Sequence, residues 1–347
     1  MYVIISILIF GVLIAIHEFG HFITAKLCGV RVLEFSIGMG PALLKKQGTE
    51  TVYSLRLLPI GGFCAMEGED SESDDPRAFS NQGRLKKILI LLAGAGMNFL
   101  LGFILLVTIY ACNGVPRAEI TDFMDGCPYQ GETALQEGDL FWEIDGHRVR
   151  TTEDVSRYLS RGGEVHDIAV KRNGEILLLE DFTITPQKYE GQTAPMYGFF
   201  FQAVSRSPLS ILQYSWEQSV NFVRMVWESI VQLVSGNYGI KDLSGVVGIV
   251  GMMNDVGQQS ETTYLAFLNL ANLSAFIAVN LAVMNLLPIP ALDGGRIFFL
   301  LLYWPIEKIL GRKINPKFEQ YVNSIFLIAL MGLMVYLMFN DVLRIVG

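Results

Sequence analysis

The sequence predicts a mainly α-helical, multi-pass membrane protein with about four transmembrane helices, a membrane-associated β-hairpin and one inserted α+β module. Charged residues make up only 17% of the chain and hydrophobic residues 51%, whereas about a quarter of an average soluble protein is charged. Long apolar runs alternate with polar segments, and one polar segment has the glycine and charge content of a soluble module. The net charge of −8 argues against nucleic-acid binding.

The apolar runs predict the membrane-spanning helices. They cover Tyr2–Leu27, Ile88–Cys112, Tyr264–Leu287 and Ser324–Phe339. The first run has no basic segment before it and no small-residue cleavage site after it, so we expect a retained helix rather than a signal peptide. The fourth run is just long enough to span a bilayer with little tilt.

The runs divide the chain into four segments. We expect two transmembrane helices and the hairpin in residues 1–112, the inserted module in 113–188, an amphipathic helix and loop in 189–260, and two further transmembrane helices in 261–347. Within Leu212–Val234 the apolar residues recur every three or four positions, opposite a continuous polar face. Such a helix lies on a membrane surface or on the protein, and a fifth spanning helix is disfavoured.

A β-hairpin is predicted after the first helix. Leu43–Gln47 and Thr51–Leu58 have strand character and flank the turn Gly48–Glu50. Pro59 and the pair Gly61–Gly62 are expected to end the second strand. The hairpin is short and apolar, so it can dip into the membrane beside the helices, where protein or a water-filled cavity must shield its backbone. The alternative is an ordinary surface hairpin.

The end of the first apolar run carries the residues with the clearest chemistry. His17 and His21 are four positions apart, which places both imidazoles on one helix face, at a spacing that suits one tetrahedral zinc ion. Glu18 beside them is typical of the general base in the H-E-x-x-H pattern. A motif this short also arises by chance, and a histidine in an apolar helix is more often a hydrogen-bonded core residue. Gly94 and Asn98 in the second run predict a close contact face for another helix.

The inserted module resembles a known interaction domain. Residues Ala134–Gly146 are similar to the PDZ core pattern GLxxGDxIxxIDG, with Ala134 in place of the glycine and Phe141 in place of the first isoleucine. The resemblance implies one PDZ domain, a small β-rich fold with a groove that can add a peptide strand to a sheet edge.

A second signature lies at the end of the third run. Asn285–Gly294 resembles the N-x-x-P-x-P-x-L-D-G motif of the site-2 protease family, zinc metalloproteases that cut within the membrane, and His17–His21 matches that family's H-E-x-x-H motif. The resemblance spans essentially the whole chain and is closest to the bacterial branch that cuts anti-sigma factors and signal-peptide remnants. It implies a three-helix catalytic core with a PDZ domain between the second and third helices.

The resemblance also implies a site. One Zn²⁺ would be held by His17, His21 and Asp293, with the fourth position open for water, and Glu18 would move the proton. Asp293 has a common alternative role as a helix N-cap before Gly294. The residues expected to bind substrate are Asn280, Asn285, Gly61, Gly62 and Phe63. The edge of the predicted strand over residues 51–58 is expected to pair with the unwound substrate.

These inferences predict a zinc metalloendopeptidase of the bacterial cytoplasmic membrane that acts in regulated intramembrane proteolysis. Its partners would be transmembrane-helix proteins or peptides and the lipid bilayer, without nucleic acid. The family implies an active site towards the cytoplasm and a PDZ domain outside. Basic residues after the third helix agree with that orientation: Arg296, Lys308, Arg312, Lys313 and Lys317.

Two other classes of protein are the alternatives to a protease. A non-catalytic membrane scaffold with a relict motif would have no use for the intact Glu18. A metal transporter would need ligands on several helices along a path, whereas the candidate ligands here form one cluster.

Overall fold

The computed structural model describes residues 1–69, 73–161, 163–190, 192, 194–237, 239, 243–310 and 316–346, with residues 59–60, 202–205, 316–318 and 345–346 described as backbone only. Arg312 and Lys313 of the predicted basic segment lie outside the described residues. The chain forms two compact units, one from Met1–Leu105 with Asn221–Gly347 and one from Leu106–Val220.

The helices and strands follow in chain order. They are α1 (Tyr2–Leu27), β1 (Val32–Gln47), β2 (Val52–Met66), α2 (Arg84–Asn113), β3 (Val115–Phe123), β4 (Leu140–Ile144), β5 (His147–Arg148), α3 (Thr152–Leu159), β6 (Val165–Arg172), β7 (Glu175–Thr183), β8 (Phe199–Ser205), α4 (Pro208–Val234), α5 (Val246–Gln259), α6 (Thr263–Asn285), α7 (Asp293–Leu310) and α8 (Pro316–Val346).

Four described helices are long and apolar enough to cross a membrane. They are α1, α2, α6 and residues 319–344 of α8, which confirms the four predicted spans. The fourth is longer than expected because its polar ends are also helical.

The first unit has an apolar core built by α1, α5 and α6. Phe10 and Leu13 of α1 pack with Met253 of α5 and with Leu270 and Ile277 of α6. No separate helix was predicted for residues 246–259, which fall within the segment 189–260 that was expected to hold one amphipathic helix and a loop. Glycine is a poor helix former, and α5 contains three glycines. Burial of Met253 in this core shows why the helix forms: packing outweighs propensity.

The predicted hairpin is larger than the sequence indicates. Strand β1 begins at Val32 and β2 continues to Met66, so the prediction that Pro59 and Gly61–Gly62 end the second strand is wrong. The pairing is irregular: residues 34–37 of β1 pair with both 52–55 and 62–65 of β2. Left-handed glycines, including Gly61 at φ 89°, allow the bends that this double pairing requires.

The hairpin contacts the rest of the first unit through its face and through its tip. On the face, Phe22 of α1 lies 5.0 Å from Phe35 between ring centroids. At the tip, the Glu50 carboxylate accepts a bond from Lys26 Nζ at 2.9 Å and pairs with Arg77 at 2.6 Å. Hydrogen bonds from Arg77 and then Lys26 lower the pKa of Glu50 to about 2.

The second unit is an α+β module with its own core. Its strands follow the order β7-β6-β4-β3-β8, with β5 paired to β4, and Phe141, Ile144 and Ile168 lie in the core. Asp139, fully buried within the PDZ-like segment, pairs with Arg172 at 2.7 Å. The mixed content fits the predicted α+β module, and its assignment as a PDZ domain stays a prediction.

Candidate metal centre

Three side chains of the first unit converge on one point. His17 and His21 lie one turn apart on α1, and Asp293 is the first residue of α7. Asp293 Oδ2 lies 3.1 Å from His17 Nε2 and 3.2 Å from His21 Nε2, and the two Nε2 atoms are 3.2 Å apart. All three side chains are largely buried, with 9–17% of their surface exposed.

The donor geometry fits a single tetrahedral zinc ion. Bonds of about 2.0–2.1 Å to nitrogen and oxygen imply donor separations of about 3.3–3.4 Å, close to the measured 3.1–3.2 Å. Asp293 Oδ2 is buried and accepts no hydrogen bond within the described chain, so its lone pairs remain available to a cation. Three converging protein donors leave a fourth position open, as catalytic zinc sites require.

The backbone of α2 orients one of the imidazoles. His21 Nδ1 lies 2.8 Å from the carbonyl oxygen of Ile90. Because a carbonyl only accepts, Nδ1 carries the proton and donates it, which leaves Nε2 as the lone-pair donor that faces Asp293. Such a carbonyl partner fixes the tautomer and the ring angle of a ligating histidine.

Close contact between α1 and α2 depends on two glycines. A Cβ on Gly20 would collide with the carbonyl oxygen of Ala93, and a Cβ on Gly94 would meet the His21 ring, with Cε1 at 2.6 Å. The predicted role of Gly94 as a helix-contact residue is therefore confirmed, and its partner is the histidine pair itself. Asn98, one turn further, is 1% exposed, and its Oδ1 accepts no bond within the described chain.

A tight turn brings Asp293 to the histidines. Ala291 has φ 75°, a left-handed conformation that L residues rarely adopt. A Cβ on Gly294 would collide with the Leu286 and Leu287 backbone, and one on Gly295 with the Ile289 carbonyl. The motif suggested the ligand, but only the structure reveals the strained alanine, since nothing in the local sequence marks it.

Strand β2 passes directly beside Glu18. A Cβ on Gly62 would lie 3.5 Å from Glu18 Cγ and 2.8 Å from the Ser36 carbonyl oxygen. Gly61 is similarly close to the Met39 side chain, whose Cγ would be 2.8 Å away. Phe63, half-buried, packs under the Arg56 guanidinium at 4.9 Å. Glycine at 62 therefore permits the close approach of β2 to the Ser36 carbonyl of β1, and it places the β2 backbone beside the Glu18 side chain.

The other predicted substrate contacts divide into two groups. The expectation that the strand over residues 51–58 offers a free edge is wrong for 52–55, because these residues pair on both sides, with 34–37 and with 44–47. Asn280 and Asn285 of α6 are half-buried, and their amides make no hydrogen bond in the part of the chain that the structure describes. Both amides are thus available to another chain.

Within the described residues, the triad is also the one group of three or more potential metal ligands that comes together. His147 and His166 lie in the second unit. His147 is exposed, whereas His166 is 1% exposed and bonds Asp145 at 2.6 Å. A single site does not favour a transporter, which needs several sites along a path.

Comparison with known proteins identifies the family. The sequence model of Peptidase family M50 matches residues 5–333. The chain belongs to this family, the site-2 proteases. It is therefore a zinc metalloprotease with zinc as its cofactor, and its four candidate spans make it a membrane protein.

Individual relatives cover almost the same length. A candidate zinc metalloprotease from Clostridium acetobutylicum is 36% identical over 342 residues, which is 98% of this chain and 97% of the relative. The regulator of sigma-W protease RasP of Bacillus subtilis is 28% identical over 427 residues, covering 99% of this chain and 98% of RasP. The zinc metalloprotease RasP of Bacillus licheniformis is 29% identical over 425 residues, 99% of each chain.

Proposed function

We propose that this M50 protease cleaves the transmembrane segments of single-span membrane proteins inside the bilayer. One zinc ion is held by His17, His21 and Asp293, and Glu18 is the general base and acid. The observation that carries the proposal is the convergence of three donor atoms to within 3.2 Å of one another. Two of these atoms belong to α1, a helix that can span a membrane. His17 stands ten residues before the end of α1, about 15 Å along the helix axis, which supports a site below the lipid surface.

The chemistry follows from what each side chain can do. Zinc, when bound, polarises the scissile carbonyl and acidifies water. Glu18 accepts a proton from the attacking water and passes it to the leaving amine nitrogen. The Ile90 carbonyl keeps His21 in the tautomer that offers Nε2. Gly62 brings the backbone of β2 beside the Glu18 side chain.

Substrate binding requires partners for an unwound backbone. A helix hides its carbonyls in its own hydrogen bonds, so the scissile segment must open locally, and its freed groups need new partners in a non-aqueous setting. Asn280 and Asn285 supply free amides, each with a donor and an acceptor. The segment Gly61–Phe63 borders the site beside Glu18, and we assign it to the substrate chain as well.

The substrate class and orientation follow the family. One relative is named a regulator of sigma-W protease, which supports anti-sigma factors as substrates here. Signal-peptide remnants follow from the family resemblance alone. The basic residues Arg296 and Lys308 follow the third span, which favours a cytoplasmic position for the end of that span and for the site beside it. The PDZ-like module would then lie outside the bacterial cytoplasmic membrane and exclude substrates with bulky outer domains.

Glu18→Gln tests the proposal. The amide keeps the size of the side chain but cannot take the proton, and loss of a general base costs about 10²–10⁴-fold in rate. We expect full zinc content by metal analysis and loss of cleavage of a single-span reporter in liposomes. A Glu18→Gln variant that cuts at the wild-type rate would refute the protease mechanism and favour a scaffold with a relict motif.

A further inference from the structure

The turn that presents Asp293 is held from another helix. Ala291 lies two residues before Asp293 and has φ 75°, a conformation that persists in an L residue only when its surroundings hold it. Its backbone N–H donates to Oδ1 of Asn323 on α8 at 3.2 Å. This side-chain bond reaches the strained residue itself.

Near Asn323, the described apolar side chains of helix α8 are mostly exposed. Most of its described side chains are exposed, and Asp341 is the buried one among them. Asp341 receives the backbone N–H of Gly248 at 2.8 Å, far along the helix from Asn323. The apolar side chains of α8 near Asn323 bury little surface. The Asn323 bond is therefore not merely one contact within a tightly packed interface.

We propose that Asn323 is a positioning residue for the metal site: by holding Ala291 in its left-handed conformation, it keeps Asp293 directed at His17 and His21. The inference rests on the proposed assignment of Asp293 as a zinc ligand. It adds α8 to the elements that determine zinc affinity, although no α8 residue belongs to the triad. Without the bond from the Ala291 N–H to Asn323, the turn relaxes. The Asp293 carboxylate then spends less time in the position that faces both imidazoles.

The test combines Asn323→Leu with Ala291→Gly in the zinc-loaded full chain. Asn323 and Ala291 both line a cavity of about 620 Å³, so leucine can be accommodated there. Zinc retention is measured against a competing chelator in detergent. Loss of a side chain that orients a metal ligand weakens affinity by about 10–100-fold, and we expect about tenfold for Asn323→Leu.

Ala291→Gly distinguishes positioning from general support. Glycine adopts positive φ without strain, so in that background we expect Asn323→Leu to weaken zinc binding by less than about threefold. Ser324→Ala is the matched control, since among the described residues the Ser324 hydroxyl donates within α8, to the Gln320 carbonyl at 2.8 Å. This variant should bind zinc as the wild type does. If the leucine variant does not accumulate, Asn323→Ala gives the same comparison without added bulk.

The outcomes separate this inference from the site on which it rests. Wild-type zinc affinity in Asn323→Leu, or an equal loss in both backgrounds, overturns the positioning role. Asp293→Ala should lose zinc. If Asp293→Ala keeps zinc, the proposed ligand assignment itself is wrong, whatever Asn323 does.

Discussion

Gly94→Ala should damage the metal site with one added methyl group. In the structure that methyl carbon would lie 2.6 Å from His21 Cε1, 2.8 Å from His17 Cε1 and closer still to His21 Nε2. Normal carbon contacts are about 3.5–4.0 Å, so the rings or the helix must move by about 1 Å. The His21 ring cannot move freely, because it is bonded to the Ile90 carbonyl. A shift of either ring would also separate the three converging donor atoms.

The expected magnitude follows from that displacement. Overpacking of this kind costs about 1–3 kcal/mol of stability, which a folded protein often survives. A 1 Å misplacement in a catalytic site can cost about 100-fold in rate. We therefore expect Gly94→Ala to fold but to lose about 100-fold in kcat/KM on a single-span reporter, with reduced zinc content.

Gly96→Ala on the same helix is the matched control. Its added carbon would meet nothing within 4 Å, and alanine is the better helix former by about 1 kcal/mol. We expect wild-type turnover and zinc content. Gly94→Ala with wild-type kcat/KM, or equal losses in both variants, would refute the argument that the glycine makes room for the histidine pair.

Two further variants test the substrate contacts and the hairpin. Asn285→Leu removes a free amide without touching the triad, so we expect lower turnover with zinc retained, and unchanged cleavage would contradict the clamp. The Glu50 pKa of about 2 lies below its ordinary value of 4.5. The stabilisation that Glu50 gives the hairpin tip is therefore fully present above pH 4.5 and is lost as the pH falls towards 2. Hydrogen exchange at the tip, corrected for intrinsic rates, should rise between pH 5 and pH 3. Glu50→Gln should show the faster exchange already at pH 7, and tip exchange that responds to neither change would argue against these ion pairs.

The sequence was most informative where local composition determines the outcome. Apolar runs of spanning length predict helices because the bilayer leaves the backbone no other partner. The spacing of His17 and His21 likewise predicts a shared helix face. Asp293 was found through the motif, since sequence separation alone does not indicate which distant carboxylate reaches that face.

The sequence was least informative where tertiary contacts override local preference. Gly61–Gly62 was predicted to end β2, yet double pairing with β1 keeps the strand intact through it. Helix α5 forms despite its glycines because Met253 is buried among α1 and α6. The left-handed Ala291 has no sequence signal at all, because its conformation is imposed by the close turn and by Asn323.

X-ray absorption at the zinc edge of the purified, zinc-loaded protein would report the ligands of the ion itself. We expect two imidazole nitrogens and a shell of oxygen at about 2.0–2.2 Å, from His17, His21, Asp293 and a solvent or substrate oxygen. Sulfur scattering at about 2.3 Å, or a spectrum without two imidazoles, would contradict this ligand set.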